Sequence, residues 1–268
     1  MKLNAAFRNA TIMRVVITGA AGRIGRQMVE ELSDAYELCL IDRVRLPRRR
    51  SIVADLSLSH GGPLKRTWQR FGRWGWIDLF RGVDVVLHLA ADVRNDAPWD
   101  SVYVNNIKAT WNVLEAAARY QVPRVIFASS NWAVRSLEQS LAPACYQPGG
   151  PKIGSAASPQ PLGPYGISKA LGELAGRMFV DQRQLHSFVA VRIGAYGPEP
   201  DETDERLRAI WVGVEDLRSL LRRCVESSSR GFHVVYGVSG QTTAPYDLSY
   251  TCNFLSWQPR QSALNEGS

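Results

Sequence analysis

Cysteine and histidine are scarce in this 268-residue chain, at four each, and acidic residues are outnumbered by basic ones, 25 to 32. Cys39, Cys145, Cys224 and Cys252 lie far apart. That excludes a dense disulfide framework and any close-spaced metal knuckle, and makes a reducing, cytoplasmic setting the expectation. His60, His186 and His233 share no spacing with cysteines or carboxylates, so no metal site is expected. No apolar run reaches the roughly 20 residues of a bilayer-spanning helix, and no repeat of fixed period is present. The net charge of +7 is concentrated in Arg43–Arg50 and Lys65–Arg73. Neither run carries an aromatic-and-basic ribonucleoprotein motif or a zinc pattern, so both read as solvated loops near an anionic cofactor, with no nucleic-acid partner. Met1–Ile12 lacks the apolar core of a secretory signal. It reads as a flexible extension (1–12) ahead of a single domain (13–268), for which a hydrophobic fraction of 45% supplies an ample core.

What is present alternates between two periods. Arg14–Thr18, Glu37–Ile41, Val83–Leu89, Arg124–Ala128, Ser187–Ile193 and Phe232–Tyr236 are short, β-branched and nearly continuously apolar, as strands buried on both faces are. Ile52–Ala54 is a further short candidate. Arg23–Ser33, Asp100–Tyr120, Tyr165–Arg183 and Glu215–Ser227 show helical spacing; in the second, Val104, Ile107, Trp111, Leu114 and Ala118 form the expected apolar face. Strand and helix in alternation specify an α/β fold, an open and mostly parallel sheet with helices on both faces. Leu141–Pro164, rich in Pro, Gly, Ser and Ala, reads as a long loop. Leu56–Trp76 reads as a loop with short helical pieces, its Trp68, Trp74 and Trp76 lining a lid, anchoring the loop to the core or filling a subunit contact.

Two local patterns carry chemistry. Gly19, Gly22 and Gly25 fall between the first strand and the first helix. Glycine there permits a tight turn and close approach of a pyrophosphate to a helix N-terminus. Asp42 ends the second strand, where a carboxylate accepts hydrogen bonds from ribose hydroxyls and repels a 2′-phosphate, which favours NAD over NADP. Tyr165 and Lys169 stand four residues apart at a helix start, on one face. A lysine held near a tyrosine is expected to lower the phenol pKa, making the tyrosine a usable base near neutrality.

In order along the chain, these residues resemble the extended short-chain dehydrogenase/reductase superfamily. The resemblance covers Gly19–Gly25, Asp55-Leu56, His88-Leu-Ala-Ala91, Asn106-Ile-Lys-Ala-Thr110 with Asn112-Val-Leu-Glu-Ala116, Ser129-Ser130, Tyr165-x-x-x-Lys169 and Ser256-Trp257-Gln258-Pro259. It implies a Rossmann-type doubly wound parallel sheet with a small C-terminal substrate-binding region, mainly 195–214 and 237–268. It implies NAD held by Gly19, Gly22, Arg23, Ile24, Gly25, Asp42, Asp55, Leu56, Leu89, Ala90, Ala91, Asn106, Tyr165, Lys169 and Ile193. Tyr165 would be the acid/base, Lys169 would bind the nicotinamide ribose, and Ser130 would hold the reacting oxygen. His88 reads as a packed residue of the strand end rather than a ligand. The superfamily's habit of pairing two helices per subunit makes a homodimer or higher homo-oligomer the expectation, through Asp100–Tyr120 and Tyr165–Arg183, with Trp111 and Met178 as interface or core.

Dehydratases of this kind carry Asp-Glu after the serine position; Asn131 and Trp132 stand here, which disfavours dehydration. The short region after Ile193 leaves little to grip a nucleotide sugar. Phe127–Asn131, Tyr165–Lys169, Val191–Gly194, Pro198–Pro200 and Arg206 ahead of Trp211 resemble the uronate dehydrogenase group. That implies oxidation of a small free sugar or uronic acid, with Asp92, Ser130, Asn131, Trp132 and Arg206 at the substrate. Arg206 would pair with a substrate carboxylate, or else be a surface arginine among Asp204, Glu205 and Arg208. Trp132 stands where the group has histidine, Asp92 where it has serine, and Ala195 replaces a polar residue, so the sugar itself stays open. A nucleotide-sugar epimerase with tightly bound NAD, and a non-enzymatic NAD-binding regulator, are the alternatives.

Overall fold

The computed structural model describes residues 12–58 and 75–263. The expected N-terminal extension, His60, the Lys65–Arg73 run, Trp68 and Trp74 lie outside the described residues. Seven parallel strands form one sheet in the order β3-β2-β1-β4-β5-β6-β9. They are β1 (Arg14–Thr18), β2 (Glu37–Asp42), β3 (Ile52–Val53), β4 (Val85–His88), β5 (Arg124–Ser130), β6 (Ser187–Ile193) and β9 (Gly231–Gly237). A parallel pair, β7 (Ala195–Tyr196) and β8 (Trp211–Val212), stands apart. The helices are α1 (Arg23–Leu32), α2 (Trp99–Val102, Tyr103–Lys108 and Ala109–Arg119 in succession), α3 (Arg135–Leu141), α4 (Gly163–Asp181), α5 (Glu205–Ala209), α6 (Val214–Glu226) and α7 (Ser249–Leu255). This is the Rossmann-type α/β architecture.

Alternation along each strand divides the core. Val15, Ile17, Val85, Leu87, Ile126, Val189 and Val191 point to the face covered by α1 and α6. Val16, Val86, Val125, Phe127, Phe188 and Ala190 point to the face covered by α2 and α4. Each such side chain contributes about 1.5–3 kcal/mol by leaving water. A third cluster, with Val134, Ile153, Ile210, Tyr236, Val238 and Tyr246, joins α3 and the C-terminal segments beyond the carboxyl ends of the strands. Strand order reverses between β1 and β4, and a crevice at that switch point is where such sheets bind ligands.

Two segments differ from their sequence reading. Tyr103–Lys108 is π-helical, and the extra residue per turn shifts the phase of α2. Val104, placed on the apolar face, is 36% exposed, while Asn106 is 2% exposed. Trp111, read as interface or core, is 42% exposed, which fits the first. The stretch leading into the expected loop is structured: a 3₁₀ turn Asn131–Val134 leads into α3, and a second turn follows at Ala144–Tyr146. Ile153 then bridges to Tyr246. Trp76 starts a 3₁₀ helix, Trp76–Phe80, one of the short helical pieces expected, and its indole donates to Leu58 O at 3.2 Å; of the three readings for the tryptophans, it fits the anchor.

Both sheet edges are short or covered. β3 has only two residues. Alongside β9, α7 places Phe254 against His233 at 4.1 Å between ring centres, and Thr251 Oγ1 accepts the Tyr236 N–H at 3.0 Å.

The helix α4 lies unusually close to the sheet. A Cβ at Gly176 would stand 2.4 Å from Phe188 ring carbons. Alanine gains about 1 kcal/mol over glycine in helix propensity, but overpacking a filled core costs about 1–3 kcal/mol. Gly176→Ala is therefore expected to lower the urea midpoint with an unchanged m-value. Equal or higher stability would show that Phe188 can swing aside.

Candidate active site

A cavity of about 890 Å³ opens over the carboxyl ends of β1, β2, β4, β5 and β6. The chain turns sharply at Gly19, where φ is +71° and an added Cβ would lie 2.6 Å from Ala90 N. No L side chain fits there. The turn delivers Gly22 as the N-cap of α1 with no side-chain cap, leaving first-turn amides available to an anion. Asp42 stands over the same turn: Oδ2 accepts from Ala21 N at 2.8 Å and Oδ1 from Val44 N at 3.0 Å. Arg23 folds onto Tyr196, with its guanidinium 5.3 Å from the ring centre and Nη2 donating to Tyr196 O at 3.1 Å.

Of the predicted cofactor residues, Gly19, Gly22, Arg23, Ile24, Gly25, Asp42, Leu56, Leu89, Ala90, Ala91, Tyr165, Lys169 and Ile193 line this cavity. Asp55 and Asn106 do not. Asp55 sits behind the wall, accepting from Arg43 Nη2 at 2.7 Å and from Ser57. Asn106 is buried behind it too. It accepts from Asp92 N at 2.7 Å, and its Nδ2 lies 2.9 Å from Asp92 O and 3.0 Å from Ser168 Oγ. Both residues shape the cavity from outside it. His88 is the packed residue expected, between Thr18 Oγ1 at 2.6 Å and Thr110 Oγ1 at 3.0 Å. Burial, aided by the Lys169 charge, pulls its pKa down to about 3, so it is neutral.

At the other end of the cavity, β5 ends in Ser130 and α4 presents Tyr165 and Lys169, all three at most 7% exposed. Lys169 Nζ donates to Ala128 O at 2.8 Å and lies 5.1 Å from the Phe127 ring centre and 5.5 Å from that of Tyr165. The expected depression of the tyrosine pKa is not found. Burial raises it, the Asp92 charge adds to that, and the Ser130 hydroxyl pulls the other way. The reason is geometric: the ammonium serves the carbonyl of Ala128 and the ring faces, and does not bond the phenol oxygen.

The predicted substrate residues Asp92, Ser130, Asn131, Trp132 and Arg206 also line the cavity, in surroundings the sequence did not show. Asp92 is bound by Arg94 (Nη2–Oδ2 2.7 Å, Nε–Oδ1 3.0 Å) and by Ser101 Oγ at 2.6 Å. The hydrogen bond from Arg94 holds its carboxyl well below the usual range. Its charge is thus balanced, not turned away. Trp132 meets the Tyr165 ring edge-on at 6.4 Å.

Arg206 is neither a lone substrate cation nor a surface residue. Its Nε donates to Oε1 of Glu138 at 2.7 Å and its Nη2 lies 3.4 Å from Oε2. With the Asn131 amide turned so that Nδ2 donates to Ser130 Oγ and Ile193 O, both at 3.2 Å, Asn131 Oδ1 accepts from Arg206 Nη2 at 2.6 Å. Glu138 was missed by sequence reasoning. It lies in a stretch without a motif, and two of its partners, Arg206 and Tyr246, are 68 and 108 residues away. So was Glu173, which meets Arg192 in a second buried pair (Nη2–Oε2 2.8 Å, Nε–Oε1 3.0 Å). A glutamate on the buried side of α4, two turns after Tyr165, was the available signal. Tyr196 and Arg26, which also line the cavity, carried none. A second hollow of about 740 Å³, between α2 and α4, is lined by Trp111 and Met178 and by none of the predicted cofactor, catalytic or substrate residues. Among the described residues no cluster of His, Cys, Asp and Glu is arranged to hold a metal ion.

Burial pulls the Lys169 pKa down to about 8 from the ordinary 10.5. Between those values the unfolded chain holds more protons at this position than the folded one, so the contribution of Lys169 to stability rises with pH across that window and is lost as pH falls to about 8. The unfolding free energy of the wild type minus that of Lys169→Met is expected to climb from pH 8 to pH 10.5. A flat difference would mean the ammonium is solvated in the folded state.

Comparison with known proteins agrees with this geometry. Residues 15–214 match the NAD dependent epimerase/dehydratase family. The chain is 33% identical over 254 residues to the NAD-dependent glucose-6-phosphate dehydrogenase of Haloferax volcanii, covering 93% of this chain and 94% of that one. It is 28% identical to the L-arabinose 1-dehydrogenase (NAD(P)(+)) of the same organism, covering 93% and 97%. Among solved structures it resembles a variant of Agrobacterium tumefaciens uronate dehydrogenase complexed with NAD (TM-score 0.75, 28% identity, 94% of this chain and 86% of that one). With the glycine turn, the strand-end serine and the Tyr165–Lys169 pair all gathered on one cavity, the chain belongs to the NAD-dependent epimerase/dehydratase family.

Proposed function

We propose that the protein is an NAD-dependent dehydrogenase oxidising a small free sugar or sugar acid at a hydroxyl-bearing carbon. One observation carries this reading: Ser130, Tyr165 and Lys169 stand at one end of a cavity whose other end is the glycine turn and Asp42. The residues present fit the cofactor. The cradle at Gly19 excludes a side chain, the N-terminus of α1 is uncapped, and the Asp42 carboxylate faces the position of a ribose. Relatives acting on glucose 6-phosphate, arabinose and uronates support the sugar class.

NAD, when bound, supplies the hydride acceptor. The chain does the rest. Ser130 and Asn131 orient the reacting hydroxyl. Tyr165, ionised for this step, takes its proton as the carbon–hydrogen bond gives up its electron pair and the carbon–oxygen double bond forms. Lys169 holds positive charge beside the forming phenol and binds the nicotinamide ribose. Burial of all four keeps water out, which strengthens these interactions. The segments 195–214 and 237–263, packed on α3, form the substrate-side lobe, and the four free cysteines support a cytoplasmic setting.

Removing the acid/base is expected to cost about 10²–10⁴-fold in turnover. Tyr165→Phe should lower kcat by that factor in an NADH-absorbance assay while leaving NAD affinity within a few-fold. An unchanged kcat would refute the assignment of Tyr165. A wild type that holds NAD through purification and interconverts nucleotide sugars without net NADH would instead favour an epimerase.

The protein also works as a homodimer in this reading. Trp99 and Tyr103 on α2 and Leu174 on α4 are 50–53% exposed, with Trp111, Ile167 and Leu171 beside them at 38–42%. A contiguous apolar face on two adjacent helices favours burial against a second copy. Leu174→Arg is expected to convert a dimer to a monomer in sedimentation velocity. A wild type that sediments as a monomer at micromolar concentration would dispose of this part of the reading.

A further inference from the structure

We propose that Glu138 is a specificity-determining residue, which sets the catalytic end of the cavity for a neutral sugar in preference to a uronate or a sugar phosphate. The inference rests on the dehydrogenase reading above. A guanidinium recognises a carboxylate or phosphate through two parallel N–H groups along one edge. In Arg206 the edge formed by Nε and Nη2 is taken by Glu138 at 2.7 and 3.4 Å, and Nη2 also reaches Asn131.

Glu138 is fixed in that position and is ionised. It is fully buried. The hydroxyls of Tyr146 and Tyr246 donate to it at 2.7 and 2.6 Å. Arg135 reaches the same Oε1 at 3.2 Å, through a single contact, without lining the cavity. Burial by itself would raise the Glu138 carboxyl; the hydrogen bond and charge of Arg206, with the two tyrosines, outweigh it and hold it below the usual value.

A substrate carboxylate placed against Arg206 therefore meets a cation whose two-pronged edge is already filled, with a second carboxylate immediately behind it; Arg135, which leaves the trio one net positive charge, does not line the cavity. In a buried site the desolvation of such an anion goes uncompensated. The other charges at this end offer no remedy. Asp92 is itself an anion held by Arg94, and the Lys169 ammonium is committed to Ala128 O. What remains for a ligand is the spare acceptor capacity of Asn131 Oδ1 and the donor Arg206 Nη1, together with the indole of Trp132. These suit hydroxyls and the C–H face of a pyranose or furanose.

The test compares kcat/KM with NAD for two matched pairs, D-galactose with D-galacturonate and D-glucose with D-glucuronate, with D-glucose 6-phosphate as a further anionic arm. The full-length wild type is expected to favour the neutral member of a pair by about tenfold or more, through KM rather than kcat. Glu138→Gln, of the same size, releases the Arg206 edge. It should narrow that ratio about tenfold by lowering KM for the anion, a change that a general loss of structure would not produce. A wild type preferring a uronate or the phosphate overturns the proposal even if the variant does not fold. So does a folded variant whose ratio equals that of the wild type. If none of the five sugars yields NADH, the dehydrogenase reading itself falls and takes this one with it.

Discussion

The buried pair of Arg192 and Glu173 is the constraint on which the catalytic end depends. Both are at most 2% exposed. Taking two charges out of water costs several kcal/mol per ion, and only full hydrogen bonding offsets it. Here it is nearly complete. Besides the two-pronged contact with Glu173, Arg192 donates to Tyr236 Oη and Ala157 O, both at 3.1 Å, and Ser129 Oγ donates to Glu173 at 2.5 Å. The pair thereby locks β6, β9, the end of β5 and the helix α4 in one register. Tyr165, Lys169 and Ser130 are mounted on those same elements, so their mutual positions follow from an interaction that none of them makes.

A second pair continues the first. Tyr236 stacks on Tyr246 at 4.4 Å, nearly parallel, and Tyr246 donates to Glu138, which holds Arg206 against Asn131. Charge, ring stack and charge run from the sheet interior to the substrate side. The cofactor side is built differently, from backbone geometry at Gly19 and a single carboxylate at Asp42. This contrast gives physical content to the split between a common cofactor and a variable sugar. Backbone shape tolerates little change, whereas a side-chain network can be retuned one residue at a time.

The same contrast decided what could be read in advance. The strands declared themselves because burial on both faces demands continuous apolar runs, and the glycine turn and Tyr165–Lys169 because their geometry is local. Glu138 was hidden, since its pairing with Arg206 and Tyr246 joins elements far apart in the chain, whereas Glu173 left only the weak sign of an acid on the buried side of its helix. Val104 was misplaced for another reason. The helical spacing is real, but the π-helical turn at Tyr103–Lys108 shifts its phase, leaving Val104 outward and Asn106 inward while Leu114 beyond the turn stays buried. Asn106 needs that shift to reach the backbone of Asp92 and the hydroxyl of Ser168. The tyrosine pKa went astray because spacing on a helix fixes which side chains are neighbours and not which atom the ammonium chooses.

The two guarded edges of the sheet have a consequence for the protein in a crowded solution. A parallel sheet with a free border can recruit further strands, from its own kind or from others, and grow without limit. Here one border is two residues long and α7 lies along the other, with Thr251 meeting the outward Tyr236 N–H. Lateral growth into fibrils is blocked at both ends. Any contact between copies is then left to side-chain surfaces.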